Sequence, residues 1–113
     1  MPKLELDEDK SWHISLIRAI GVFLPIEKTT IIGIHCNMIE RDSSNPEQYI
    51  GLSLLKANEM SIDVKPTFNH QYKLRFHDFS QAEIQLLDLT TGRDIQFVDA
   101  IVQLEITEAY GRF

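Results

Sequence analysis

The sequence lacks the features that mark secreted and membrane proteins. Cys36 is the only cysteine among 113 residues, so an intramolecular disulfide is excluded. No apolar run reaches the roughly 18 residues that a membrane helix needs. Charged residues between Lys3 and Lys10 interrupt the region where a signal peptide would lie. We therefore predict an intracellular protein with no membrane segment.

Basic residues are also scarce. The chain has 11 Lys and Arg against 17 Asp and Glu, which gives a formal net charge of −6. Binding to nucleic acid depends mainly on neutralising phosphates, and anionic lipid attracts basic segments in the same way. We expect neither nucleic acid nor a membrane surface as a partner. The length fits a single domain that spans residues 1–113.

Residue patterns that mark catalytic and metal centres are missing too. His13, His35, His70 and His77 are too widely spaced to suggest a zinc site. Ser43 and Ser44 lack the Gly-x-Ser-x-Gly context of a nucleophile, and no glycine-rich phosphate loop is present. We predict no metal, no cofactor and no enzymatic activity, although carboxylates brought together from distant strands stay an open alternative. Cys36 lies in an apolar run and is interpreted as a small buried hydrophobic residue.

The chain is rich in alternating apolar residues. Ala82, Ile84 and Leu86 share one side of a first run, and Val102, Leu104 and Ile106 share one side of a second. Period-two alternation is typical of half-buried strands, because successive side chains point to opposite faces of a sheet. The turn segment 90–94 lies between the runs, and its Gly92 can adopt the positive φ of a tight reversal. We predict that the chain ends in an antiparallel hairpin.

Similar patterns recur along the rest of the chain. A strand is predicted from Trp12 to about Ile20, and the longest strand from Thr29 to Glu40. The segment Tyr49–Leu55 fits a strand or a short helix, and we favour a strand because Gly51 weakens a helix. The total is about seven to nine short strands separated by turn signals, with no long amphipathic helix. We predict an all-β antiparallel sandwich, jelly-roll-like in its arrangement.

Several apolar residues fall on the sides of strands opposite to the expected core. Contiguous exposed apolar residues mark interaction surfaces. We therefore predict a homo-oligomer, with a candidate interface made of Ile17, Ile31, Ile39, Leu87, Leu89 and Ile101.

The clearest loop follows the predicted strand that runs from Thr29 to Glu40 and precedes the segment Tyr49–Leu55. It is rich in turn-favouring residues and has no apolar side chain between positions 41 and 47. Loops on a rigid scaffold commonly carry recognition. The alternative function is therefore a small binding module for a protein, a peptide or a glycan. Its candidate recognition residues are Arg41, Asp42, Ser43, Ser44, Asn45 and Glu47.

Both ends of the chain show a family resemblance. The opening Leu4-x-Leu6 followed by Trp12-His13-Ile14-Ser15-Leu16, and the closing Ile84–Asp88, Thr91–Phe97 and Ile101–Ile106, are the matching segments. They are similar to penton-type minor capsid jelly-roll proteins of Polinton (Maverick) elements and adintoviruses. Members of that family are longer, so this chain would be a minimal version. The resemblance implies a self-assembling capsid or capsid-derived protein, located in a virion or in the cell, and it carries over no catalytic residue.

Overall fold

A computed structural model of the chain describes residues 4–7, 9–66, 70–75, 78–79 and 81–108. These residues form strands and connecting turns, and none of them lies in a helix. The strands are β1 (Leu4–Glu5), β2 (Trp12–Phe23), β3 (Thr30–Cys36), β4 (Tyr49–Leu55), β5 (Ser61–Val64), β6 (Tyr72–Lys73), β7 (Asp78–Phe79), β8 (Ile84–Asp88), β9 (Arg93–Asp94) and β10 (Phe97–Glu108). Two four-stranded antiparallel sheets pack together, which confirms the predicted all-β sandwich.

The first sheet is built on the two longest strands. β2 lies between β10 and β5, and the short strand β6 pairs with the start of β2. Leu16 lies opposite Leu104 and Ile14 opposite Ile106, and all four side chains pack in the core. The predicted inward side of the last run is therefore confirmed.

A β-bulge changes the alternation of β2 half way along the strand. Gln103 pairs with Arg18 while the next residue, Leu104, pairs with Leu16, so Ile17 is the extra residue. Before the bulge the inward residues have even numbers, as in Leu16, and after it they have odd numbers, as in Ala19. The bulge lets one strand keep an apolar inner face over its whole twelve-residue length.

The second sheet has the strand order β4-β3-β8-β9. Strand β3 ends at Cys36, earlier than the predicted strand end at Glu40, because residues 37–38 form a turn. The amide of Ile39 donates to the carbonyl of Cys36 across this turn at 3.4 Å. The thiol of Cys36 is fully buried between the sheets, as predicted.

The two closing runs do not pair with each other, so the predicted terminal hairpin is wrong. β8 pairs with β3 and with the short strand β9, whereas β10 pairs with β2 in the other sheet. The turn itself is as expected, because Gly92 has a φ of 76°. The chain then crosses between the sheets at Ile95, whose side chain is buried and whose amide donates to the carbonyl of Leu86 at 2.9 Å.

The pairing of the long strands is nested. β2 lies beside β10, and the following strand β3 lies beside β8, so early and late parts of the chain pair in both sheets. The core between the sheets is apolar, and its largest fully buried side chains include Phe23, Ile14, Ile32, Ile34, Met38 and Leu55.

Candidate functional site

An apolar cluster covers the outer face of the second sheet, which we call the outer apolar surface: Ile31, Leu52, Leu54, Leu87 and Leu89. Ile31 is 49% exposed, Leu52 58% and Leu54 53%. Neighbouring strands place these side chains side by side, because Ile31 lies opposite Leu54 in the ladder between β3 and β4. Burial of large apolar side chains stabilises proteins, so several of them exposed together form a candidate interaction surface.

Gly33 lies at the centre of this surface. It is opposite Leu52 on one neighbouring strand and opposite Leu87 on the other. A Cβ at Gly33 would lie 2.8 Å from Leu89 Cδ2 and 2.9 Å from Tyr49 Cε1. Because Gly33 has no side chain, the side chains of Leu89 and Tyr49 can pack over its backbone, next to the other members of the outer apolar surface.

The structure divides the predicted interface residues into three groups. Ile31, Leu87 and Leu89 lie together on the outer apolar surface. Ile17 and Ile101 belong to the first sheet, on the opposite side of the sandwich. Ile39 was assigned wrongly: it is only 1% exposed and forms an isolated bridge with Leu74. The turn after β3 breaks the alternation, so that Met38 and Ile39 are both buried.

Sequence reasoning missed Leu52 and Leu54. They were placed in a segment that fits a strand or a helix, and no outward side was assigned to them. The signal was available, since Leu52 and Leu54 alternate with Gly51, Ser53 and Leu55. Leu55 is fully buried, which fixes the opposite side of β4 as the outward one.

The outer face of the first sheet differs in chemistry. Ile101 is 64% exposed and lies opposite Ile20. Close by, Arg18 donates to both carboxylate oxygens of Asp63, at 2.9 and 2.6 Å. This hydrogen bond from Arg18 lowers the pKa of Asp63. Charged and apolar side chains are therefore mixed on this face.

The predicted recognition loop is organised around Asp42 and Asn45. Asp42 Oδ1 accepts from the amide of Ser44 at 2.9 Å, from its hydroxyl at 2.7 Å and from the amide of Asn45 at 2.8 Å. The hydrogen bond from the Ser44 side chain is the largest cause of the lowered pKa of Asp42. Asn45 in turn bonds the backbone of Tyr49 in both directions. Ser43 and Glu47 are exposed. The acceptor Asp42 Oδ1 is thus engaged inside the loop.

Gln48 attaches this loop to the core. Its side chain is buried, with a φ of 59°, and its Nε2 donates to the carbonyl of Ile39. Its backbone carbonyl accepts from the amide of Cys36 at 3.0 Å, and Arg41 Nε donates to its Oε1 at 3.4 Å. These bonds fix the loop relative to β3.

A groove lies beside β4, between the edges of the two sheets. Its volume is about 570 Å³, and Tyr49, Gly51 and Leu52 of β4 line one side. The other side carries His70 and Tyr72, whose rings lie 4.4 Å apart between centroids at 56°. Ser44 and Asn45 of the loop close one end. The groove therefore joins aromatic rings to the predicted recognition loop.

Other chemistry is sparse in the part of the chain that the structure describes. No three His, Cys, Asp or Glu side chains come together there as a metal site would require. Of the histidines considered, His77 lies outside the described residues. In the same described part, no helix has the length and apolarity to cross a membrane. Asp88 accepts from Thr30 Oγ1 and serves to join two strands.

Comparisons of the chain with protein-family models, with curated proteins and with solved structures found no match.

Proposed function

We propose that this β-sandwich is a structural protein that assembles with copies of itself through the outer apolar surface. The observation that carries the proposal is the adjacency of Ile31, Leu52 and Leu54, each about half exposed on neighbouring strands. The cluster contains no charged side chain, although the chain has a net charge of −6. Two copies meeting at this surface would remove apolar side chains from water, while Asp94, which lies opposite Leu87, stays on the end strand β9 at the edge of the surface.

A closed pair is the simplest form of such an assembly. In a two-fold dimer the same patch serves on both copies, so one apolar surface is sufficient. Exposed patches of roughly 300–600 Å² on monomers are often functional. The family resemblance at both ends of the chain supports a capsid-like role for the assembly, and this role is part of the proposal.

The experiment is sedimentation velocity at micromolar concentration on the native chain and two variants. Leu54→Lys places a charge on the outer apolar surface, and the matched control Ile101→Lys places one on the other sheet. We expect the native chain and Ile101→Lys to sediment as assemblies and Leu54→Lys as a folded monomer, with circular dichroism confirming the fold. A native chain that stays monomeric would overturn the proposal.

A second candidate function is favoured by the groove beside β4. Tyr72 and His70 present rings next to polar groups of Ser44 and Asn45, and pockets that combine aromatic walls with a few polar groups are typical binding sites. On this hypothesis the chain is a module that binds an uncharged ligand such as a glycan. Titration with neutral oligosaccharides should then show binding that Tyr72→Ala weakens at least tenfold, while Ile101→Lys leaves it unchanged.

A further inference from the structure

Within the described residues, the free edge of β4 is protected at its start, where Ile50 forms a β-bulge and Asn45 bonds the backbone of Tyr49, and it is open beyond Gly51. β4 is the end strand of the second sheet and is bonded to β3 alone among the described strands. Its sequence Tyr-Ile-Gly-Leu-Ser-Leu-Leu contains no charged residue and no proline. Edge strands of native proteins usually carry such residues, because their unpaired N–H and C=O groups form a template for another strand.

The edge of the first sheet provides a comparison within the same molecule. β10 is the end strand there, and within the described residues its one partner is β2. Unlike β4, it carries Asp99, Glu105 and Glu108. Acidic side chains along an edge oppose the approach of an identical strand, because like charges opposite each other destabilise a strand pair. Acidic side chains therefore protect the β10 edge, whereas β4 beyond Gly51 carries no charged residue.

Space for an additional strand exists beside β4. The groove of about 570 Å³ is lined on one side by Tyr49, Gly51 and Leu52. His70 and Tyr72 form its other wall, and Ser44 and Asn45 close the end at Tyr49, so an extended segment can approach β4 along the rest of the strand. Leu52, the middle residue of β4, is more than half exposed.

We propose that two copies of the chain pair β4 to β4 in antiparallel orientation. The four strands of each copy then form one continuous eight-stranded sheet. This inference rests on the proposed function, since it adds a second contact, at the edge of the sheet, to the contact between outer apolar surfaces. A strand pairs with itself in antiparallel orientation about a two-fold axis, which satisfies the free backbone groups of both edges at once.

The second copy is favoured as the occupant by the charge pattern. Self-pairing of β4 brings only uncharged side chains together, whereas self-pairing of β10 would bring Asp99, Glu105 and Glu108 of two copies close. Pairing at β4 also extends the outer apolar surface across the axis, because Leu52 and Leu54 lie on the strand that meets its copy. Leu52 and Leu54 of the two copies therefore come side by side, while Ile31, Leu87 and Leu89 stay on the outer face of the joined sheet, available for the contact between outer apolar surfaces.

The test is hydrogen–deuterium exchange of the full chain at concentrations below and above the assembly midpoint found by sedimentation. We expect amides of β4 that do not bond to β3 to exchange at least tenfold more slowly above the midpoint. The outer amides of β10 serve as the internal control and should not change. A second measurement uses Leu52→Cys, which should form an intermolecular disulfide on mild oxidation, while Ile101→Cys should not.

The outcomes separate this inference from the proposed function. Assembly without a change in β4 exchange would overturn the edge pairing and leave self-assembly in place. A chain that stays monomeric at every concentration would overturn both. A third outcome is that the β4 amides exchange slowly only after a different extended peptide is added. That peptide would then be the strand that pairs with β4, and the proposed pairing of two copies would be wrong.

Discussion

Thr30 Oγ1 donates a 2.5 Å hydrogen bond to Asp88 Oδ1 and so joins the first residue of β3 to the last residue of β8. The same carboxylate oxygen accepts from the amide of Thr90 at 2.8 Å. Thr90 Oγ1 lies 3.0 Å from Thr30 Oγ1 and completes a small polar cluster. This cluster fixes the start of the turn that leads to β9.

We expect Asp88→Asn to make the protein less sensitive to acid. The hydrogen bond from Thr30 is the largest cause of the lowered pKa of Asp88 in the folded state. A lowered folded-state pKa contributes stability above the unfolded value of about 3.9, and that contribution is lost as the pH falls through the folded-state pKa. Urea unfolding at pH 7 and at pH 3 should therefore show a smaller difference for Asp88→Asn than for the native chain.

Thr30→Val is the partner variant for this experiment, because it removes the donor and leaves the carboxylate. It should also reduce the difference in unfolding free energy between the two pH values. Combined with Asp88→Asn, its effect should be much less than additive, as expected for residues in direct contact. Strictly additive effects would show that the Thr30–Asp88 bond does not set this part of the acid response.

Gln48→Ala should destabilise the fold by about 1–3 kcal/mol, since it leaves a buried carbonyl without its donor. That carbonyl belongs to Ile39, which is itself buried. Alanine carries the same Cβ as glutamine, so backbone strain at the φ of 59° is equal in both chains. The measurement is the free energy of unfolding in urea.

Glu47→Ala is the neighbouring control for Gln48, because Glu47 is exposed in the same loop. It should change the free energy of unfolding by less than about 0.5 kcal/mol. If the two variants were equally stable, the bond from Gln48 to Ile39 would not be what attaches the loop to the core.

Alternation in the sequence identified strand faces better than strand partners. Leu86 is buried and Leu104 is packed against the core, as predicted, because a period of two reports which side of a strand meets the core. It carries no information on which strand lies alongside. The runs that contain Leu86 and Leu104 therefore looked like one hairpin, whereas they belong to different sheets.

Local irregularities explain the remaining differences at the candidate site. The turn at residues 37–38 buried Ile39, and the bulge at Ile17 shifted the phase of β2. Both irregularities depend on contacts with distant strands. The pattern of residues within one segment gives no information on those contacts. Ile31 lies in the regular part of β3, where alternation continues without interruption, and its outward position was predicted correctly.

Cys36 should react with thiol reagents only when the protein unfolds. Its side chain is fully buried, and burial raises the pKa of the thiol, so little of the reactive thiolate is present. Labelling with a disulfide reagent at pH 8 should be at least about a hundredfold slower in the native protein than in denaturant. Cys36→Ser combined with Ile101→Cys is the exposed control and should label quickly in both conditions. Fast labelling of native Cys36 would contradict its burial between the sheets.

Gly51→Ala should destabilise the fold by about 1–3 kcal/mol through overpacking between the sheets. A Cβ at this position would lie 2.8 Å from Leu16 Cδ2, and Leu16 is buried with little room to move. Gly33→Ala is the matched comparison, because its close contacts are Leu89 and Tyr49 on the outer face, which are less confined. Thermal unfolding should therefore show a larger fall in midpoint for Gly51→Ala than for Gly33→Ala. The reverse order would mean that the outer apolar surface is packed more tightly than the core, contrary to the exposure of Leu89.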